Sequence, residues 1–187
     1  CQGRIRTAGD RGLPAFPSSG VIRAALVLLT AALATLTLGG LVLVASFFGV
    51  KGRIYDWIAR RWAGAVLTSS GAKLVVHGLD RVDWSEPQVV VCNHVSAFDI
   101  LALATTIPVT YRFVAKKELE RVPMFGPAWK AAGHISIDRD DREKAIESLR
   151  KAARKLNAEG GVVVIFPEGT RSVTTELQPF KKGAFHL

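Results

Sequence analysis

Hydrophobic positions follow three regimes along this chain of 187 residues. Residues 24–50 are 27 consecutive positions without a charged side chain, long enough to cross a hydrocarbon core with tilt. The run predicts a membrane helix over 21–50. A buried core helix, or a monotopic or re-entrant segment bent at Gly39-Gly40, is the alternative. Over 51–70 the apolar positions turn periodic. Ile54, Trp57, Ile58, Trp62, Ala65 and Val66 share a helical face, and Arg53, Asp56, Arg60 and Arg61 fall largely between them. Two tryptophans beside arginines suit an interfacial helix in the headgroup region, and suit equally a helix that caps the following domain.

Ser69-Ser70-Gly71 punctuates the chain, and a third regime occupies 71–187. Short apolar runs predict strands at 73–77, 88–92, 111–115, 134–137 and 162–166. Helical spacing predicts helices at 98–106 and 141–158, and a short helix or turn at 123–132. In the longest helix Ala145, Ile146, Leu149, Ala152, Ala153 and Leu156 form one face, and Gly160-Gly161 ends it. Strands alternating with helices predict an α/β domain, a mostly parallel sheet covered by helices, preceded by the N-terminal membrane helix. Polar clusters follow three of the strands: Asn93-His94, Asp138-Arg139, and Glu168 to Ser172. Ligand sites in open α/β sheets gather beyond the carboxyl ends of strands, so parallel strands would bring these clusters to one cleft.

Composition narrows the partners. The net charge is +9, which calls for an anionic partner: nucleic acid, an anionic membrane surface, or a phosphorylated substrate. No basic run is interleaved with aromatics and no nucleic-acid-binding motif is present, so nucleic acid is not expected. Residues 1–20 set Gly, Pro and Ser between arginines and read as a flexible basic tail. Arginines and lysines flank the apolar run on both sides, so charge does not orient it. The two cysteines, Cys1 and Cys92, make no disulfide framework. Cys92 falls in a core strand and reads as a reduced thiol, consistent with a catalytic part on the cytoplasmic face of a membrane. A chain that begins at Cys1 and stops at Leu187 reads as a fragment of a longer frame.

His94 is the first candidate for chemistry. Its imidazole suits a general base near neutral pH, and Asp99 can accept from Nδ1–H, fixing the tautomer and stabilising the imidazolium. Five positions turn through ~500° of regular helix, so His94 belongs in the turn and Asp99 in the first helical turn. Ser96 with Asp99 is also an acceptable helix-capping pair, a local role compatible with catalysis. No G-x-S-x-G elbow supports a serine acyl-enzyme. Cys92, His94, Asp99, His134 and Asp138 include metal-ligand types, but no HExxH or paired CxxC spacing supports a metal site. Arg139 and Arg171 offer donor forks suited to phosphate, and each could instead form a surface ion pair. In FPEGTRS (166–172), Pro167 closes a strand and Gly169 permits a tight turn.

NHVSAFD (93–99), GHISIDR (133–139) and FPEGTRS, in this order behind a membrane segment, resemble the glycerolipid acyltransferase family, the PlsC-type lysophosphatidic acid acyltransferases. The resemblance runs over about 74–186. It includes Lys116-Lys117-Glu118-Leu119, residues 122–126 and Lys181-Lys182-Gly183. It implies His94 as catalytic base with Asp99 as its partner, and Arg139, Glu168, Gly169, Thr170 and Arg171 as acceptor- and phosphate-binding residues. It implies acyl-CoA or acyl-carrier protein as donor and a lysophospholipid, 1-acyl-sn-glycerol-3-phosphate first, as acceptor at a membrane, with no metal or organic cofactor. Lyso-ornithine lipid and glycerol-3-phosphate are alternative acceptors, and a non-catalytic membrane lipid-binding protein is the alternative outside enzymes. A fourth family motif, an apolar strand with a proline, is expected beyond Leu187.

Overall fold

The computed structural model describes residues 18–50, 53–172, 176–182 and 185. Most of the expected basic tail lies outside them. The apolar run forms α1 (Ser18–Phe47) and the amphipathic stretch α2 (Ile54–Ser70). Three contacts show the pair to be an antiparallel hairpin. Ser46 Oγ and Tyr55 Oη lie 3.2 Å apart, Trp62 Nε1 donates to Thr35 Oγ1 at 3.0 Å, and the Arg23 side chain lies against Gly71. Val27, Ala31, Leu38, Val42 and Ala45 form the side of α1 that packs inward. The opposite side stays open: Leu28 is 71% exposed, Leu36 63% and Phe47 87%. Over Gly20–Phe47 the helix is long and apolar enough to cross a membrane.

The domain is a four-stranded sheet of β1 (Gln88–Val91), β2 (Tyr111–Lys116), β3 (Ile135–Ile137) and β4 (Val162–Ile165), in the spatial order β1-β4-β2-β3. Every pairing is parallel, as the alternation of strands and helices predicts. Helices α3 (Phe98–Thr106), α4 (Phe125–Ala131) and α5 (Arg142–Glu159) make the connections. The central strand β4 is buried throughout, and its alternation assigns the two faces. Val162 and Val164 pack with Leu101, Ala104 and Phe113 toward α2 and α3, while Val163 and Ile165 pack with Leu149 and Leu156 of α5. Asp141 caps α5 by accepting from Lys144 N–H at 3.0 Å. Gly161 enters β4 at φ +93°, and a Cβ there would meet Thr110 O at 2.6 Å.

One expected strand is absent. Residues 73–77 pair with no strand among the described residues, and Leu74, Val75 and Val76 are 47%, 70% and 42% exposed. Their β propensity reflects fit to a pleated, half-buried surface, and here no neighbouring strand supplies one. The two tryptophans of α2 also part company. Trp62 is partly buried against α1 through its bond to Thr35, whereas Trp57 remains 47% exposed with Arg61 stacked over its ring. The hairpin is fastened to the sheet by an ion pair between partly buried Arg112 and buried Asp56, Nη1 to Oδ1 at 2.7 Å, and by Arg60, which donates to Val109 O.

Candidate active site

Parallel strands put the ends of β1 and β4 side by side, in the register Val91 with Ile165, and the segments that leave them meet. After β1 the chain makes an irregular turn through His94 before α3 begins at Phe98. His94 is therefore in the turn and Asp99 in the first helical turn, as their spacing requires. His94 Nδ1 lies 2.9 Å from Asp99 Oδ2, and that same oxygen accepts the N–H groups of Val95 and Ser96, each at 2.8 Å. Phe98 N–H donates to Ser96 Oγ at 3.1 Å, but the N-cap of α3 is Ala97, without a side-chain cap bond, so Ser96 and Asp99 order the turn ahead of the helix rather than cap it as expected. Burial works against ionisation of Asp99, but the bonds from Ser96 N–H, the His94 ring and Val95 N–H outweigh it. They hold its carboxyl below the usual carboxylate range. The imidazole stacks on Phe166 with centroids 4.0 Å apart and planes 18° from parallel. Its orientation is thus fixed at an edge and at a face.

The segment after β4 clasps this turn. Gly169, at φ +72°, closes a tight turn in which its N–H donates to Phe166 O at 3.0 Å. Glu168 is 2% exposed; its Oε1 accepts His94 N–H at 2.7 Å and its Oε2 accepts Gln178 N–H at 3.1 Å. Ser172 N–H donates to His94 O at 2.7 Å, so the backbone of His94 is held through both its amide and its carbonyl. Thr170 and Arg171 are exposed on the turn. Lys181 donates its N–H to Pro167 O, and its side chain crosses Gly169 so closely that a Cβ there would meet Cδ and Cε at 3.0 Å. Arg171 and the Lys181 ammonium thus stand on one short turn beside the His94 loop, and neither has a carboxylate within ion-pair distance among the described residues.

Two of the three polar clusters converge, and the third stands apart. Asp138 and Arg139 follow β3 on the same edge of the sheet, but the order β1-β4-β2-β3 puts them three strand spacings, ~14 Å, from the end of β1. Asp138 faces Lys117 at 3.8 Å and Arg139 is exposed. The candidate metal ligands scatter likewise. His134 Nδ1 accepts Phe113 N–H at 3.1 Å within a cage of Trp129, Tyr111 and Phe113. Burial first, and the Arg112 charge second, push its pKa down to about 3. Cys92 is pushed up to about 11 by burial and then by the Asp99 charge, which keeps the thiol protonated at neutral pH. Among the described residues no three His, Cys, Asp or Glu side chains group closely enough to hold a metal ion.

Sequence reasoning assigned no role to Phe166 and Ser172, although both are letters of FPEGTRS, and it did not single out Gln178. The stacking and backbone clasp that Phe166 and Ser172 provide leave no spacing pattern, because their partner His94 is 72 and 78 positions away, and Gln178 enters only through its main-chain N–H to Glu168.

The acyltransferase family profile matches residues 73–187, more than half of the chain. The 1-acyl-sn-glycerol-3-phosphate acyltransferase of Cocos nucifera is 36% identical over 138 residues, 74% of this chain and 41% of that protein. The Saccharomyces cerevisiae protein of the same name is 36% identical over 140 residues, covering 73% of this chain and 46% of its own length. The chain thus spans about half the length of these curated relatives. The crystal structure of the 1-acyl-sn-glycerophosphate (LPA) acyltransferase PlsC from Thermotoga maritima superposes with a TM-score of 0.68 at 27% identity. That match covers 88% of this chain and 68% of the other.

Proposed function

Because the chain belongs to the acyltransferase family, we propose that it moves a fatty acyl group from an acyl-CoA or acyl-carrier protein thioester to the free hydroxyl of 1-acyl-sn-glycerol-3-phosphate, yielding phosphatidic acid. The observation that carries this reading is the His94–Asp99 bond at the carboxyl edge of a parallel sheet, beside Arg171. Nδ1–H committed to Asp99 leaves Nε2 with the lone pair that takes the acceptor's hydroxyl proton. The acceptor oxygen attacks the thioester carbonyl carbon. As the tetrahedral intermediate collapses, the C–S bond breaks and the thiolate leaves, taking up the proton from the imidazolium. Arg171 holds the acceptor's phosphate with its donor fork, and the Lys181 ammonium adds a second charge at the same turn. Arg139, from its place beyond β2, holds a more distant anionic group of the bound substrates.

The open apolar side of α1 supports attachment to a membrane, where a lysolipid acceptor resides, and the free Cys92 thiol is in keeping with a domain on the cytoplasmic face. The names of the relatives support phosphorylated lysolipid over other acceptors. The test is acceptor-dependent thiol release in detergent micelles with a panel comprising 1-acyl-sn-glycerol-3-phosphate, glycerol-3-phosphate and lyso-ornithine lipid. The first is expected to be used best, and His94→Ala to lower turnover at least ~10³-fold while the protein stays folded. Near-wild-type turnover in a folded His94→Ala protein would end this mechanism, and preference for an unphosphorylated acceptor would end the substrate assignment.

A further inference from the structure

Glu168 lies under the turn that carries Thr170 and Arg171, and its geometry sets it apart from them. The side chain is 2% exposed, whereas Thr170 and Arg171 are exposed. Its two oxygens are each occupied by a main-chain N–H, one from His94 and one from Gln178. A carboxylate is an acceptor without donors, so one side chain answers two part-buried amides that come from segments 84 positions apart. Each oxygen keeps a second lone pair, but at 2% exposure the carboxylate presents almost no surface to a substrate, and reaching one would require the turn over it to open. We therefore propose that Glu168 is a positioning residue: it fixes the main chain of His94 and, through it, the aim of the imidazole, and does not contact the acyl acceptor.

The clasp is built for that purpose at the atoms that matter. His94 is held at its N–H by Glu168 and at its C=O by Ser172 N–H. Its ring edge is held by Asp99 and its ring face by Phe166. Three of these four restraints come from the single segment after β4. Glu168 also ties that segment to residue 178, ahead of Lys181. Loss of the carboxylate loosens the turn after β1 from the turn after β4, so the base and the phosphate-binding side chains no longer share one frame. A displacement of about 1 Å at a reacting group costs on the order of 10²-fold in rate.

The proposal rests on His94 as the base, and its test has one arm that does not depend on activity. In Glu168→Gln one acceptor oxygen becomes an NH₂ that faces a backbone N–H, so one bond is replaced by a repulsion at unchanged volume. The expected result is a fall in kcat of about 10²-fold with donor and acceptor KM within about twofold of wild type. Loss of the single Nδ1-protonated tautomer of His94, read from ring ¹⁵N shifts, should accompany it. A rise in acceptor KM of tenfold or more, or an unchanged kcat, overturns the proposal. The second arm uses the wild-type protein in micelles and follows exchange of the His94 amide proton. Protection that persists when 1-acyl-sn-glycerol-3-phosphate saturates the protein supports the proposal, and protection lost on acceptor binding shows Glu168 leaving His94 for the ligand and overturns it. This arm decides the matter if Glu168→Gln does not fold. Absence of acyl transfer by the wild type would refute the proposed function, and the unliganded amide would still report the clasp.

Discussion

Each of the polar side chains on the carboxyl edge of the sheet has a separable consequence. Arg171 is exposed, has no carboxylate partner among the described residues, and shares its turn with the Lys181 ammonium. On the proposed assignment, in which Arg171 makes a charge-assisted contact of ~1.5–3 kcal/mol to the acceptor phosphate, Arg171→Ala should raise acceptor KM roughly 10- to 150-fold and leave the donor KM nearly unmoved. Arg139→Ala should affect acceptor KM less, because β2 and β4 intervene; steady-state kinetics with each substrate varied in turn would check both. A larger acceptor effect at Arg139 than at Arg171 would contradict the placement. His134 supplies a pH test. Its pKa falls from an unfolded value of ~6.5 to about 3 in the fold, so between these values the unfolded chain binds more protons. Its contribution to stability is complete above pH ~6.5 and declines as pH falls from there toward 3. Thermal melts from pH 7 to 4 should show Tm falling, and His134→Gln, which keeps an acceptor for Phe113 N–H but does not titrate, should flatten that slope.

Among the elements, the contact between α2 and β2 deserves a direct test. Arg112 and Asp56 are largely buried, their side chains 17% and 7% exposed, and each neutralises the other across the seam between hairpin and sheet. Arg112→Ala leaves the carboxylate of Asp56 buried and uncompensated, at a cost of about 3–5 kcal/mol. Chemical denaturation of the two single variants and the double variant would show it, with the double variant less damaged than the sum of the singles. The elements themselves were largely legible in the sequence. The runs at 88–92 and 162–166 and the stripe of α5 differ by a residue or so from the observed bounds, because period and punctuation are local properties. The His94–Asp99 pair was legible for the same reason. Strand order was not. Insertion of β4 between β1 and β2 is decided by which faces can be buried together, and it moves Arg139 away from His94 while bringing Glu168 against it. The run at 73–77 was misread on the same ground, since a strand exists only with a neighbour. The link from Glu168 to His94 spans 74 positions, and no spacing rule reaches that far.

At the scale of the whole molecule, the antiparallel hairpin decides how the chain can sit at a bilayer. Trp62 bonds to Thr35 and Tyr55 to Ser46, so Asp56, Arg60 and Arg61 lie abreast of the middle and the C-terminal part of α1. If α1 stood upright across the bilayer, these charges and the domain fastened to them would be drawn toward the hydrocarbon, at ~2.5–3.5 kcal/mol per charge on insertion scales. An in-plane α1, with Leu28, Leu36 and Phe47 submerged and Arg61 and Trp57 at the headgroups, avoids that cost. A helix of this length lying flat is a wedge about 45 Å long in one leaflet. On the proposed function, a lysolipid acceptor is met as a two-dimensional solute, and the concentration that governs the rate is a number per unit area. At fixed bulk acceptor and fixed enzyme, adding inert phosphatidylcholine to the vesicles should slow thiol release in proportion to the falling mole fraction of acceptor. Adding buffer, which dilutes the volume but leaves that fraction unchanged, should leave the rate per bound enzyme as it was. If the proposed function holds, the bare side of α1 would make this protein a catalyst whose clock is set by lateral encounters within a single monolayer.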